Sequence, residues 1–253
     1  MKKQEWLRHR KKVWLLGLLL VVFIWFLRMV SGINDWRTAS RDSAGIAPLP
    51  AETPEAVVQV YAARTFNWRG TFAVHTWVAI KEKNAAKYTT YQVVGWQLGW
   101  KGTAVSVRED IPDRYWYGAK PELIEELRGA KAEKAIPKIQ KAVADYPYGG
   151  VYHAWPGPNS NTFISYIVRN VDELTVELPP HAIGKDWSEN FIEKAESGRG
   201  IRLSLYGVLG LTVGLAEGIE FNVLGLNFGL DFYRPALKLP LIGRLGLKDK
   251  PLD

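Results

Sequence analysis

An uninterrupted apolar run near the N-terminus constrains this 253-residue chain more than any other feature. Val13 to Leu27 carries no charged side chain, and the run continues through Met29 and Val30 if Arg28 snorkels. About 18 apolar residues suffice for a short transmembrane helix, and a preceding basic cluster favours a cytoplasmic N-terminus. The pattern predicts a single-pass membrane protein whose main domain lies across the membrane from its cytoplasmic N-terminus. A cleaved signal peptide is the alternative interpretation.

Charge and composition limit the partners of the chain. The formal net charge is +7, but most of it lies in residues 1–12, and the part beyond Arg28 is close to neutral. A nucleic-acid partner is therefore excluded, since it requires a basic patch on the folded domain. The absence of cysteine excludes disulfides and thiolate metal sites. A lipid bilayer is the expected partner.

The chain divides into five segments by composition. They are a cytoplasmic basic tail (1–12), a transmembrane anchor (13–30), a linker (31–55), an α+β domain (56–200) and a glycine-rich apolar segment (201–253). The last segment is nearly uncharged over residues 201–231 and alternates in polarity near its end. A hairpin or strand pair packed on the domain is the preferred interpretation, and membrane association is the alternative.

The α+β domain contains recognisable strand and helix patterns. Residues 71–80 alternate as a strand and place His75 in its middle, and residues 88–96 form the returning strand. Residues 121–146 are predicted to be helical, since Leu123, Ile124 and Leu127 recur at helical spacing. A half-buried strand histidine bonded to backbone is the structural alternative for His75.

The stretch from Tyr152 to Val168 is the strongest candidate for a functional site. A Trp-Pro-Gly-Pro turn leads through Asn159, Ser160 and Asn161 into an amphipathic helix. A serine at a helix N-terminus lies where an oxyanion or a nucleophile is stabilised. The same polar residues are also favoured as N-caps for purely structural reasons.

Aromatic loop residues supply candidate ligand contacts. Trp77, Tyr115, Trp116 and Trp155 are suited to line a binding cleft, or alternatively to anchor loops on the core. The four histidines are scattered and show no metal-binding spacing, so neither a metal nor a cofactor is expected.

Several motifs of the chain resemble a family of bacterial proteins catalogued as a domain of unknown function. The motifs are V-H-T-W-V-A-I (74–80), Y-Q-V-V-G-W (91–96), P-D-R-Y-W-Y-G (112–118), W-P-G-P-N-S-N-T-F (155–163), A-I-G-K-D (182–186) and L-G-L-N-F-G-L-D with R-P-A-L-K-L-P (224–240). The resemblance covers nearly the whole chain beyond the apolar run. Together with the apolar run, it implies a bacterial inner-membrane protein with a periplasmic main domain. It implies no established activity.

A more distant resemblance is to circularly permuted papain-like hydrolases of the NlpC type, which are related to cell-wall peptidases and lipid acyltransferases. It implies an α+β papain-like domain in which an early strand carries the general base, here His75. A nucleophile at a later helix N-terminus follows, which corresponds to Ser160. Ser160 stands where such families carry cysteine, and serine requires a well-placed base and oxyanion hole.

The remaining site roles follow from that comparison. Asn161 would act with Ser160, Asn159 would stabilise an oxyanion, and Tyr91 or Gln92 would orient the histidine. Two functions remain open. One is a hydrolase or acyltransferase acting on an envelope amide or ester, with peptidoglycan peptide or lipid as substrate. The other is a catalytically inactive pseudoenzyme that binds a ligand or serves as a scaffold.

Overall fold

The structure, a computed structural model, describes residue 10 and residues 13–21, 23–24 and 35–248. Two antiparallel sheets dominate it, and helices are few. The first sheet holds five strands in the order β4-β3-β2-β1-β5. Its strands are β1 (Val57–Arg64), β2 (Val74–Lys81), β3 (Thr89–Val93), β4 (Val105–Glu109) and β5 (Glu122–Arg128). The central strands β1 and β2 are buried on both faces, so each face of this sheet has its own core.

Two helices cover one face of the first sheet. Helix α1 (Gly129–Ala144) packs on β1 and β5, and helix α2 (Ser160–Asn170) packs on β2 and β3. Apolar residues of α1 recur at helical spacing and meet the β-branched side chains of the strands. Short helical turns complete the connections: Pro50–Glu52, Asn67–Thr71, Gly95–Gln97 and Leu98–Lys101.

An aromatic cluster covers the opposite face of the first sheet. Tyr61 stacks on Trp77 with ring centroids 5.4 Å apart, and Trp116 packs against the same cluster. Asp113 holds the preceding chain over this face, because its carboxylate accepts bonds from the Ser43 hydroxyl and the Ile46 amide. Other parts of the chain therefore cover both faces of the first sheet over most of their length.

The second sheet is a seven-stranded meander in which every strand pairs with its neighbour in sequence. Its strands are β6 (Ile192–Lys194), β7 (Gly200–Leu205), β8 (Leu209–Gly214), β9 (Gly218–Val223), β10 (Leu226–Asp231), β11 (Ala236–Leu239) and β12 (Gly243–Gly246). Side chains alternate along these strands between a buried inner face and an exposed outer face.

The inner face of the second sheet is polar and charged. Arg202, Glu220 and Lys238 are each 1% exposed there, and they meet Lys185 and Asp186 of the loop that precedes the sheet. Lys185 Nζ lies 2.8 Å from a Glu220 carboxylate oxygen, and Lys238 Nζ lies 3.1 Å from the other. Ion pairs and hydrogen bonds, more than apolar contacts, thus join the second sheet to the loop.

The pKa values of the buried groups reflect this pairing. Burial opposes ionisation of Glu220, but the Lys185 and Lys238 ammonium groups outweigh it and hold the pKa of Glu220 below its usual range. Burial likewise opposes ionisation of Asp186, and Lys185 and Arg202 hold its pKa below the ordinary value. Burial and the neighbouring Glu220 raise the pKa of Glu177. The neighbouring cations therefore keep Asp186 and Glu220 charged in the buried network.

The predicted α+β papain-like fold with a transmembrane helix is wrong. The chain is mostly β-structure in two antiparallel sheets. Part of the difference arises at residues 122–128, which were expected to be helical and instead form β5, paired with β1. The rest arises near the C-terminus. A hairpin or strand pair was expected within residues 201–253, and residues 192–246 instead form a complete seven-stranded sheet.

The predicted single-pass membrane topology is also contradicted. Within the described residues, no helix is both long enough and apolar enough to span a bilayer. The helical residues described in the apolar run are 13–21 and 23–24. The predicted tail at 1–12, except residue 10, and the end of the predicted anchor at 25–30 lie outside the described residues.

Candidate functional site

A cleft of about 890 Å³ opens where the first sheet ends beside the hairpin tips of the second. Its lining is dominated by nine aromatic side chains: Trp36, Phe66, Trp68, Phe72, Trp96, Trp116, Tyr117, Tyr152 and Trp155. His75, Asn159, Ser160 and Asn161 contribute polar groups to its wall. Among the described residues that line the cleft, Arg69 is the one charged residue. The volume and apolar character are those of a small-molecule site.

Asn159 forms the N-cap of α2. Its side-chain oxygen accepts hydrogen bonds from the amides of Asn161 at 2.9 Å and Thr162 at 3.3 Å. The Thr162 hydroxyl accepts a bond from the Asn159 amide in return, which completes a capping box. The N-capping role predicted for these polar residues therefore belongs to Asn159. The side chain of Ser160 takes no part in the cap.

The side-chain amides of Asn159 and Asn161 fasten α2 to its surroundings. Asn159 Nδ2 donates to the carbonyls of Ala154 and Ile183, and Asn161 Nδ2 donates to those of Val74 and Ile183. Asn161 Oδ1 accepts from the Thr76 hydroxyl at 2.9 Å. Since both NH₂ groups are already engaged, neither is free to stabilise an oxyanion without breaking a contact of the fold.

Close packing around Asn159 also fixes the neighbouring loop. Gly184 adopts a φ of +94°, and a Cβ atom there would lie 2.3 Å from Asn159 Nδ2. Only glycine satisfies both the left-handed backbone and the contact with the cap. Packing against the Asn159 cap therefore explains the glycine of the A-I-G-K-D motif.

Ser160 presents its hydroxyl to the cleft. The residue is 5% exposed, and among the described residues its hydroxyl makes no hydrogen bond. The hydroxyl lies at the positive end of the α2 dipole, beside a capped first turn. A ligand oxygen or carbonyl that reaches this corner meets a hydroxyl free to donate.

We expect the two polar neighbours to respond differently to truncation. Asn159→Ala removes the cap and orphans the carbonyls of Ala154 and Ile183, so unfolding free energy should fall by about 2 kcal/mol or more. Ser160→Ala should change it by no more than about 0.5 kcal/mol, because its hydroxyl supports no contact. Urea denaturation of both variants measures the difference. A larger loss for Ser160→Ala would contradict this assignment of the cap.

His75 lies on β2 and is held by Gln92 of β3. The distance between His75 Nε2 and Gln92 Oε1 is 2.9 Å, and the imidazole stacks on Trp116 with centroids 3.7 Å apart. Burial lowers the pKa of His75 to about 4, and the bond to Gln92 opposes this only in part. The ring is therefore neutral near pH 7, with the Nε2 proton donated to Gln92 and Nδ1 left as an acceptor.

His75 and Ser160 reach the cleft from opposite faces of the first sheet. Val74 belongs to the core beneath the helices, and Trp77 belongs to the aromatic cluster on the other face. Because side chains alternate along a strand, His75 shares the face of Trp77. Across the described residues no hydrogen bond joins His75 to Ser160, although both line the cleft at the end of the sheet.

The other predicted site residues divide between the cleft and the cores. Trp116 and Trp155 line the cleft, and Trp155 Nε1 donates to the Leu224 carbonyl at 2.9 Å. Trp77 lies beneath the cleft and donates to the Pro112 carbonyl. Tyr91 is buried among the helix-facing core residues, and Tyr115 lines a separate cavity of about 230 Å³.

Most aromatic residues of the cleft escaped sequence analysis. Phe66 and Phe72 flank the helical turn Asn67–Thr71 between β1 and β2, and Trp68 lies within it. Leu224 and Leu226 come from the second sheet. The one available signal was a high content of aromatic residues in loops. Within the part of the chain that the structure describes, no group of three or more His, Asp or Glu side chains is arranged to hold a metal ion.

A protein of two antiparallel sheets with a largely aromatic cleft between them is, by its architecture, a β-rich protein with a ligand-sized apolar site. The chain belongs to the family described as "Protein of unknown function (DUF3750)", whose family model matches residues 55–187. That range holds the first sheet, both helices, His75 and Ser160, and it ends before β6. The resemblance to a family of unknown function is thus confirmed. No curated protein and no solved structure matches the chain.

Proposed function

We propose that the protein binds an amphipathic ligand, with its apolar chain in the aromatic cleft and its polar group at Ser160. The observation that carries the proposal is the cleft itself, about 890 Å³ in volume. The part of the chain that the structure describes lines it with nine aromatic side chains and one charged residue. A lining of this kind favours a hydrocarbon chain or ring system over a charged peptide or sugar.

The polar end of the ligand would meet the Ser160 corner of the cleft, where a hydroxyl donor is available. The Ser160 hydroxyl is unbonded in the described chain, while the neighbouring Asn159 and Asn161 amides are already occupied. A carbonyl, ester or hydroxyl is a suitable partner there, and the α2 dipole adds to the attraction for partial negative charge. An ester or a fatty acid combines both required features.

Filling the cleft should weaken this binding without unfolding the protein. Ala154 lies on the cleft wall with its side chain exposed, so Ala154→Trp inserts an indole into the space. We expect at least about a tenfold weaker affinity for a fluorescent fatty-acid probe, corresponding to about 1.4 kcal/mol. Ala130→Trp, on the exposed start of α1, is the matched control and should bind as the wild type does. Equal affinity of all three proteins would refute the proposal.

Acyl hydrolysis or transfer is a second candidate, favoured by the free Ser160 hydroxyl and by the neutral His75 in one cleft. The Ser160 oxygen would attack the ligand carbonyl, and His75 Nδ1 would take the hydroxyl proton and return it to the leaving group. Two observations make this candidate the weaker one. No hydrogen bond joins the two residues in the described structure, and a base whose pKa is about 4 is a poor proton acceptor.

Fluorophosphonate labelling separates the two candidates. A protein that only binds its ligand should show no covalent adduct at Ser160 in intact-mass measurement. An adduct that disappears in Ser160→Ala and in His75→Gln would establish the acyl chemistry. Retention of probe affinity in Ser160→Ala would locate most of the binding energy in the aromatic lining.

A further inference from the structure

The second sheet is built with its apolar face outward. Along β7 to β12, charged and polar side chains alternate inward, and leucine, isoleucine, valine and phenylalanine alternate outward. Ile201, Val213, Phe221, Leu230, Leu237 and Leu245 are each between 42% and 61% exposed. An antiparallel sheet normally packs its apolar face against the core. An apolar face that is exposed instead indicates a surface that binds another molecule.

Strand register makes the outward side chains one continuous surface. Ile201 pairs with Val213, Val213 with Ile219, and Ile219 with Leu230. Leu230 pairs in turn with Leu237, and Leu237 with Leu245. This row crosses six strands and so extends about 24 Å at the usual ~4.8 Å spacing between strands.

A second row runs beside the first. Leu203 pairs with Leu211, Leu211 with Phe221, and Phe221 with Phe228. The two rows carry no charged side chain, and their backbone groups are already paired within the sheet. We call this surface, formed by the outward residues of β7 to β12, the outer apolar face. It presents nothing that needs a hydrogen-bonding partner, so hydrocarbon is a suitable neighbour.

The outer apolar face meets the cleft at the β9–β10 hairpin tip. Leu224 at that tip is 57% exposed and also lines the cleft, where its carbonyl accepts the Trp155 indole bond. Trp68, Trp96 and Trp155 at the cleft are half-exposed. Indole rings prefer the boundary between water and lipid, because one edge donates a hydrogen bond and the rest is apolar.

We propose that the outer apolar face docks onto a lipid surface, with the cleft opening beside the site of contact. A second copy of the chain would cover the sheet, but it would leave the exposed tryptophans around the cleft unexplained. A lipid surface accounts for the sheet, the tryptophans and their junction at Leu224 together. This docking is peripheral, through one sheet face, and it does not require that the cleft hold a ligand.

A single environment-sensitive label tests the proposal at the face itself. The chain has no cysteine, so Val213→Cys in the full-length protein accepts one nitrobenzoxadiazole dye on the outer apolar face. With phosphatidylcholine–phosphatidylglycerol vesicles we expect the emission to rise and shift to the blue. Doxyl-labelled phospholipid in the same vesicles should then quench it. Lys134→Cys on the exposed side of α1 is the control and should respond to neither.

Two further variants separate the possible outcomes. Phe221→Ser with Phe228→Ser should lower the vesicle partition coefficient at least about tenfold, given the apolar area each ring removes from water. Ala154→Trp blocks the cleft and should leave partitioning unchanged, so failure of docking and failure of ligand binding are distinguishable. Binding of the chain to vesicles while the dye at position 213 stays in water would overturn the proposal. So would shielding of that dye by protein concentration alone, together with a dimer in sedimentation equilibrium.

Discussion

Replacing Lys185 by methionine should destabilise the protein by about 3–5 kcal/mol, because it leaves buried carboxylates without their cation. Lys185 is 1% exposed, and its ammonium lies 2.8 Å from Glu220, 3.6 Å from Asp186 and 3.9 Å from Glu196. Burial alone would lower the pKa of Lys185, yet these three carboxylates raise it well above the ordinary value. The loss is comparable to the whole stability of many domains, which is about 5–15 kcal/mol.

Urea denaturation followed by tryptophan fluorescence measures this loss. The matched control is Lys134→Met on the exposed side of α1, which should change unfolding free energy by no more than about 0.5 kcal/mol. Glu220→Gln in the Lys185→Met background should recover part of the loss, since it removes one of the uncompensated charges. If Lys185→Met costs less than about 1 kcal/mol, the network does not bind the second sheet to the loop as described.

Acid should destabilise the folded protein between pH 6.5 and about 4 because it contains two buried neutral histidines. Burial lowers the pKa of His75 to about 4, and burial with the nearby Arg64 charge lowers the pKa of His181 to about 4. In this interval the unfolded chain binds protons that the native chain does not, so unfolding free energy falls as the pH falls. Each histidine accounts for about 3 kcal/mol across the interval.

Stability curves of variants isolate this effect from that of the carboxylates. His75→Gln should lose about half of the histidine-dependent slope between pH 6.5 and 4, and His75→Gln with His181→Gln should lose nearly all of it. The slope is the measured quantity, because each substitution also alters the absolute stability. An unchanged slope in the double variant would show that the folded protein does not lower the pKa of either imidazole.

Local sequence patterns predicted the structure correctly where the spacing of apolar side chains and the capping residues decide it. The alternation through His75 correctly predicted a strand, since β2 spans Val74–Lys81. The turn before Ser160 likewise predicted the start of a helix, and α2 begins at that residue. Both elements follow from hydrophobic period and capping chemistry, which act between residues close in sequence.

Tertiary pairing decided the elements that sequence analysis mispredicted. Leu123, Ile124 and Leu127 occupy helical spacing, yet Glu122–Arg128 forms β5 because the free edge of β1 is available to pair with it. Only a hairpin or strand pair was predicted within residues 201–253, because part of that segment alternates in polarity. The inner face of the observed sheet also carries charged residues. Those charges are buried only because Lys185 and Asp186, from a preceding loop, supply partners for them.

The sequence by itself determined where a polar helix N-terminus, an alternating strand with His75 and a glycine-rich alternating segment would lie. Only the tertiary structure decided what these features do together. It made Asn159 the N-cap of α2 and left the Ser160 hydroxyl without a hydrogen bond in the described chain. The side-chain amide of Asn161 is instead occupied by Thr76 and the Ile183 carbonyl. It also assembled the cleft from aromatic residues of distant segments and turned the apolar side of the second sheet outward. Those outcomes depend on contacts between residues far apart in sequence, which no local period encodes.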